Sequence, residues 1–250
     1  MGNALAGDVR NVLTYQVYAG GVHVVETRLL LEREDAEYDI QLAAKTTGWL
    51  GGLVPWEGTF TTQGSLENEV FMPVQHQSKA TWKGETKTKT FSFKDGDVVS
   101  LIIEEEGRKP ETPEILDELV RDTTDILSAT MSIMTRMEHS DLCDGDADIF
   151  DGSRRFTLHF KDEGEAQLEA SRYNIYEGAA RYCTVEIEPK GGKWHEKPRG
   201  WLSIQEQGRK KGSLPSMWMG HVDGLSYAVP VKIMVKTDYG ALMMHLVNVD

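Results

Sequence analysis

Between Cys143 and Arg155 the chain reads CDGDADIFDGSRR, which sets Asp144, Asp146, Asp148 and Asp151 close together. Alternating carboxylates of this kind open an EF-hand loop, where they converge on one hard cation. Such a loop also needs glycine at its sixth position and a bidentate glutamate at its twelfth. Counted from Asp144 those places hold Ile149 and Arg155. No metal site is expected, and the stretch reads as an acidic turn leading into a strand.

Other chemistry is equally thin. His23, His76, His139, His159, His195, His221 and His245 are scattered, without an HExxH motif or a close pair. No G-x-S-x-G elbow presents a nucleophilic serine between strand and helix. Cys143 and Cys183 form no CxxC and lack zinc-ligand spacing, and a cysteine on an apolar strand face is usually inert. A carboxylate pair of the glycosidase kind needs no motif, so an unrecognised hydrolase stays as a further reading. No cofactor is expected, and the residues give no ground for an enzyme.

The informative apolar stretch is Gly48-Trp49-Leu50-Gly51-Gly52-Leu53-Val54-Pro55-Trp56. Its glycines and proline argue against a regular strand or helix, while two tryptophans call for burial. Such a loop can plug one mouth of a barrel, dip into a membrane interface or cover an apolar ligand. A plug is the commonest of these outcomes. Trp49, Leu50, Leu53 and Trp56 are therefore candidate ligand-lining residues. Trp218, in Ser216-Met217-Trp218-Met219-Gly220, is a candidate second wall or an ordinary core residue.

The elements that must position these groups show a period of two. Tyr38, Ile40, Leu42 and Ala44 alternate with Asp39, Gln41, Ala43 and Lys45, as in a strand with one buried face. Phe156, Leu158 and Phe160 repeat the pattern, as do Val229, Val231, Ile233 and Val235. Cys183, Val185 and Ile187 form another inward set, so Cys183 faces the core. Glycine pairs such as Gly20-Gly21 mark hairpin turns. About fourteen short strands result, too many for one uncurled sheet.

The predicted fold is all-β: one domain built on a large antiparallel barrel-like or spiral sheet, with a single helical insertion over about 112–137. Thr112 is the expected N-cap of that insertion, with Pro113 in its first turn. Leu116, Leu119, Val120, Ile126, Leu127, Met131, Met134 and Met137 form an apolar stripe that packs on the sheet. Asp122-Thr123-Thr124-Asp125 can split the insertion, with Thr124 or Asp125 capping the second helix. Glu104 to Glu111 and Glu138 to Asp146 read as linkers.

With 27 Lys and Arg against 40 Asp and Glu, the net charge of −13 argues against nucleic acid. No apolar run approaches the roughly 20 residues of a membrane-spanning helix. Ala4-Leu5-Ala6 has the small-x-small form of a signal-peptidase site, yet no apolar region precedes it. The two cysteines are either buried and reduced, or paired in an oxidising compartment.

Several segments together resemble a bacterial family known as domain of unknown function 3108, secreted across the inner membrane of Gram-negative cells. They are LTYQVYAGGVHVVETRLLLE, YDIQLAAKTTGWLGGLVPWEGTFTTQG, MPVQHQSKATWKGETKTKTFSF, DTTDILSATMSIMTRM, DIFDGSRRFTLHF and AVPVKIMVKTDYGALMMHLVNV. The similarity covers nearly the whole chain. It implies a secreted β protein of the periplasm, its signal peptide absent here, with a disulfide between Cys143 and Cys183. It carries over no catalytic residue. The resulting expectation is a non-enzymatic cell-envelope protein that binds a lipid, a lipoprotein or another apolar envelope component. A scaffold contacting envelope proteins through its acidic face and the 112–137 helix is the alternative, and an unrecognised hydrolase of envelope polymers is the second alternative.

Overall fold

The computed structural model describes residues 9–67, 70–194, 201–237 and 240–250. Ala4-Leu5-Ala6 and His195 lie outside the described residues.

Thirteen strands are seen among the described residues, close to the number the alternation suggests. In chain order they are β1 (Val9–Ala19), β2 (Val22–Glu34), β3 (Glu37–Thr46), β4 (Trp56–Glu67), β5 (Val70–Trp82), β6 (Glu85–Lys94) and β7 (Asp97–Glu105). The second set is β8 (Gly145–Phe150), β9 (Arg154–Leu168), β10 (Gly178–Gly192), β11 (Ser216–His221), β12 (Ala228–Thr237) and β13 (Gly240–Val249). All thirteen join one antiparallel sheet in the order β7-β6-β5-β4-β3-β2-β1-β13-β12-β11-β10-β9-β8. Consecutive strands pair within two meanders, β1 to β7 and β8 to β13, and the meanders are stitched together by β1 against β13.

The inner face follows the sequence pattern. Leu29, Leu31 and Ile40 are buried, and so are Val229, Val231 and Leu246. Tyr38, Phe71, Phe156, Leu158, Phe160 and Cys183 belong to the same core cluster. Cys183 therefore does face the core, as its strand parity requires.

The helical insertion departs from expectation at its start. Thr112 caps nothing, and Thr112 to Leu116 run without regular structure. Glu111 exchanges two backbone hydrogen bonds with Ile103, each 2.8 Å, which holds the chain extended where a helix was expected to begin. A short helix, α2, covers only Asp117–Val120. The main helix, α3, spans Ile126–Ser140, three residues beyond the expected end. Asp125 caps it, accepting from Leu127 N at 2.9 Å and Ser128 N at 3.1 Å. Asp141, with φ 50°, ends it.

The stretch before α3 acts as a strap. Glu111 pairs with the outer edge of β7, and Thr124 bridges Ile149 on the outer edge of β8. The two terminal strands of the sheet are thus covered by the same segment, which removes the hazard of open edges. Side chains close the same seam. Phe91 and Phe150 meet edge to face at 5.9 Å, within a cluster that adds Phe93, Val98, Leu101 and Val120.

α3 lies on the concave inner face, touching β4 and β5 on one side and β8 and β12 on the other. Leu127, Met131, Ile133, Met134 and Met137 are buried there, while Leu116 and Ile126 at the margins of the predicted stripe are exposed. Glu138 to Asp146, read as a linker, supplies the end of α3 and the start of β8 instead. A last helix, α4 (Trp201–Lys210), packs on β12 and β10. The Gln205 side chain donates to Ile187 O at 3.0 Å and accepts from Ile187 N at 2.7 Å, so it stands in for a missing strand neighbour.

Cys143 and Cys183 form a disulfide with an S–S distance of 2.04 Å. The bridge ties the segment just past α3 to the wall at β10. No helix among the described residues is long and apolar enough to cross a membrane.

Candidate functional site

The strands and α3 divide the concave face into two zones. Toward the end holding the β2–β3 and β6–β7 turns, α3 covers the wall. What remains there is a recess of about 50 Å³ beside Tyr38, Met131, Glu138 and Tyr227. Toward the opposite end, the same inward rows continue beyond α3. Leu42 pairs with Phe60, and Phe60 with Ser78, in the row that contains the buried Leu29. Ile233 pairs with Met244 on the facing wall. Leu42, Phe60, Val185, Ile187, Ile233 and Met244 pack against the core yet keep part of their surface exposed.

Trp56 belongs to this upper zone. It shares strand parity with Phe60 and with the fully buried Thr62, so its ring turns inward. A Cβ on Gly58 would meet the Trp56 ring at 2.8 Å and the Phe60 ring at 3.3 Å. Only glycine leaves room for the indole to fold down over the strand. Ala44, Ala80 and Ser78 beside it keep the neighbouring wall low.

Gly48–Leu53 corrects a prediction: it forms a six-residue helix, α1. The Thr46 hydroxyl, which bonds Val54 O at 2.9 Å and accepts from Trp56 N at 3.0 Å, clamps the far end of that helix. Gly51 lets the turn close onto Thr46 O, which a Cβ would meet at 3.0 Å. The helix sits on the rim instead of dipping into the barrel, so Trp49 is 60% exposed and Leu53 68%. Leu50 is half-buried beneath them. Trp82, the register partner of Trp56, is also exposed at this rim, and so is Val22 at the start of β2.

Trp218 does not join them. Met217 and Met219 are the inward residues of β11 and are buried. Trp218 faces the other side, its ring 5.0 Å from Tyr182 and 4.5 Å from the Lys232 ammonium. Burial lowers the Lys232 pKa there. Trp49, Leu50, Leu53 and Trp56 are thus neighbours at one mouth, and Trp218 belongs to the outer cladding.

Every carboxylate of the acidic turn has a protein partner. Asp144 accepts from Asp162 N at 2.7 Å. Asp146 pairs with His159 Nδ1 at 2.7 Å. Asp148 takes Arg155 at 2.6 Å and the Thr157 hydroxyl at 2.5 Å. Asp151 accepts from Ser153 N and Arg154 N, which shapes the turn that introduces β9.

A buried polar cluster that sequence reasoning missed lies beneath α3. The Thr62 hydroxyl donates to Asp125 Oδ1 at 2.7 Å and sits 2.7 Å from His76 Nδ1. With its one proton given to the carboxylate, Thr62 can only accept from His76, so Nδ1 carries a hydrogen. Ser128 donates to Asp125 Oδ2 at 2.6 Å and contacts the Tyr38 hydroxyl at 3.0 Å. Burial acts to raise the Asp125 pKa, yet His76 together with Ser128 and Thr62 outweighs it and holds the carboxyl below its usual range. These groups are buried, and their mutual bonds fix α3 to β4 and β5.

Comparison with known proteins agrees with the architecture. A family model described as Protein of unknown function (DUF3108) matches residues 14–247. No curated protein matches the chain. Among solved structures, a beta-barrel-like protein of domain of unknown function DUF1849 from Brucella abortus is similar. The TM-score is 0.54 at 9% identity, covering 97% of each chain. At that identity the likeness speaks for the fold alone.

Proposed function

Because the chain belongs to the DUF3108 family, whose activity is undefined, we propose from its geometry that it is a non-enzymatic cell-envelope protein. In this reading it works in the periplasm and binds an apolar or amphipathic molecule, such as a lipid or the acyl chain of a lipoprotein, on its upper inner face. One observation carries this. Leu42, Phe60, Ile187, Ile233 and Met244 face inward yet stay partly exposed, whereas the continuation of that face is sealed by α3. An apolar chain of a ligand laid there would remove that surface from water, worth about 25 cal/mol per Å².

Two further features support the reading. The rim beside this zone exposes Trp49, Leu53 and Trp82 together, and such grouped apolar surface marks contact with lipid or an apolar partner. A disulfide that ties α3 to the wall suits an oxidising compartment.

The test is to purify the protein from the periplasm of an expressing cell, extract it with organic solvent and analyse the extract by mass spectrometry. Co-purified lipid that disappears in Phe60→Glu is the expected result. A clean extract, with no change in tryptophan emission on adding an alkyl amphiphile, overturns the proposal.

A further inference from the structure

Lys89 is the unusual group of the upper inner face. On β6 it shares parity with Phe91, which is 2% exposed, so its side chain projects inward. It pairs with Ser78 on one side and with Ile103 on the other. Its Nζ donates to Asp151 O at 2.8 Å, across the seam. Among the described residues no carboxylate oxygen lies within ion-pair distance of it. The nearby Asp151 carboxylate is committed to the Arg154 guanidinium and to Ser153. The neighbouring Lys87 is matched by Glu105 at 2.6 Å, whereas Lys89 makes no such ion pair among the described residues.

A half-buried ammonium normally holds an anion, because removing a charge from water is costly unless a counter-charge replaces the lost hydration. One carbonyl uses one of three N–H donors. Burial accordingly draws the Lys89 pKa downward, with the Asp151 charge opposing. The strand positions next to it hold the small residues Ser78, Ala80 and Gly58. Phe60, paired with Ser78, begins the apolar strip.

We propose that Lys89 receives the negatively charged head of an amphiphile whose alkyl chain lies along Phe60, Leu42 and the facing wall. This rests on the binding reading above and adds the polarity and orientation of the ligand: a singly or doubly charged carboxylate or phosphate head toward the seam, the chain toward β3 and β4. The net charge of −13 does not oppose it at contact range, since distant surface charges are screened beyond about 8–10 Å at physiological salt.

The experiment titrates the whole protein with dodecanoate, dodecyl phosphate and dodecanol below their aggregation thresholds, following tryptophan emission. At least one anion should bind about tenfold more tightly than dodecanol, the size of a charge-assisted hydrogen bond. Lys89→Met should reduce that ratio to about twofold and Lys89→Arg should restore it. Preference for dodecanoate identifies a fatty-acid type of head, and preference for dodecyl phosphate a phospholipid type. Equal binding of dodecanol and both anions overturns this inference while leaving the apolar site standing. Absence of binding by all three overturns both. The comparison on the unmodified protein needs no variant, so a folding defect in Lys89→Met cannot mask the answer.

Discussion

Asp125 Oδ1 lies 3.2 Å from His76 Nδ1, with both side chains almost fully buried. This contact joins the first residue before α3 to the middle of β5, so the helix that covers part of the concave face is held by a buried polar pin as well as by its methionines.

Asp125→Ala should be among the most damaging single changes. It removes the cap of α3 and strands the hydroxyls of Thr62 and Ser128 together with His76. The expected loss is about 3–5 kcal/mol, read from urea unfolding. The pH dependence has a definite sign. The folded pKa of Asp125 is depressed, so its stabilisation is full above the unfolded value near about 3.9. That stabilisation is lost as pH falls through the folded value.

Reducing the disulfide, or replacing Cys143 and Cys183 by serine, should lower stability by about 4 kcal/mol in the chain-entropy account for a separation of 40 residues. Thermal melts with and without reductant measure the loss. Alkylation without reductant should label neither thiol in protein taken from an oxidising compartment.

His159 is held between Glu188 Oε2 at 2.9 Å and Asp146 Oδ1 at 2.7 Å, and these bonds raise its pKa. Its contribution is therefore complete below the unfolded value of about 6.5 and fades as pH rises through the folded one. Because all three groups are largely exposed, the gain is no more than about 1 kcal/mol. An imidazole titration by NMR should place the midpoint above that of His159 in Glu188→Gln.

Gly152→Ala tests the seam. Gly152 has φ +88°, and a Cβ would reach the Phe91 ring at 3.0 Å and the Lys89 stem at 3.2 Å. A loss of about 1–3 kcal/mol is expected from the strained backbone. Hydrogen exchange should accelerate in β7 and β8 before the rest of the sheet responds.

The alternation in Tyr38 to Lys45 and Val229 to Lys236 made the strands and their inner faces readable, because burial on one face of a pleated sheet imposes that period directly. Sequence separation hid the rest. The Asp125 cluster needs Thr62, which lies 63 residues away, and no local pattern reports such a meeting. Thr112-Pro113 carries good helix-start chemistry, but a strap that must cross from β7 to β8 gains more length extended than coiled, about 3.3 Å per residue against 1.5 Å. Trp49 misled through composition, since its helix stands on the rim. Leu42 looked like an ordinary buried-face residue, because sequence does not say where α3 stops.

The pairing of β1 with β13 has a consequence for how the molecule is made. β13 supplies the keystone between the two meanders, with β1 on one side and β12 on the other. Closure must wait for β1 and β13, far apart in sequence, to find each other, a non-local pairing that slows folding. Removing Gly240–Val249 would split the wall down its middle and leave two half-shells.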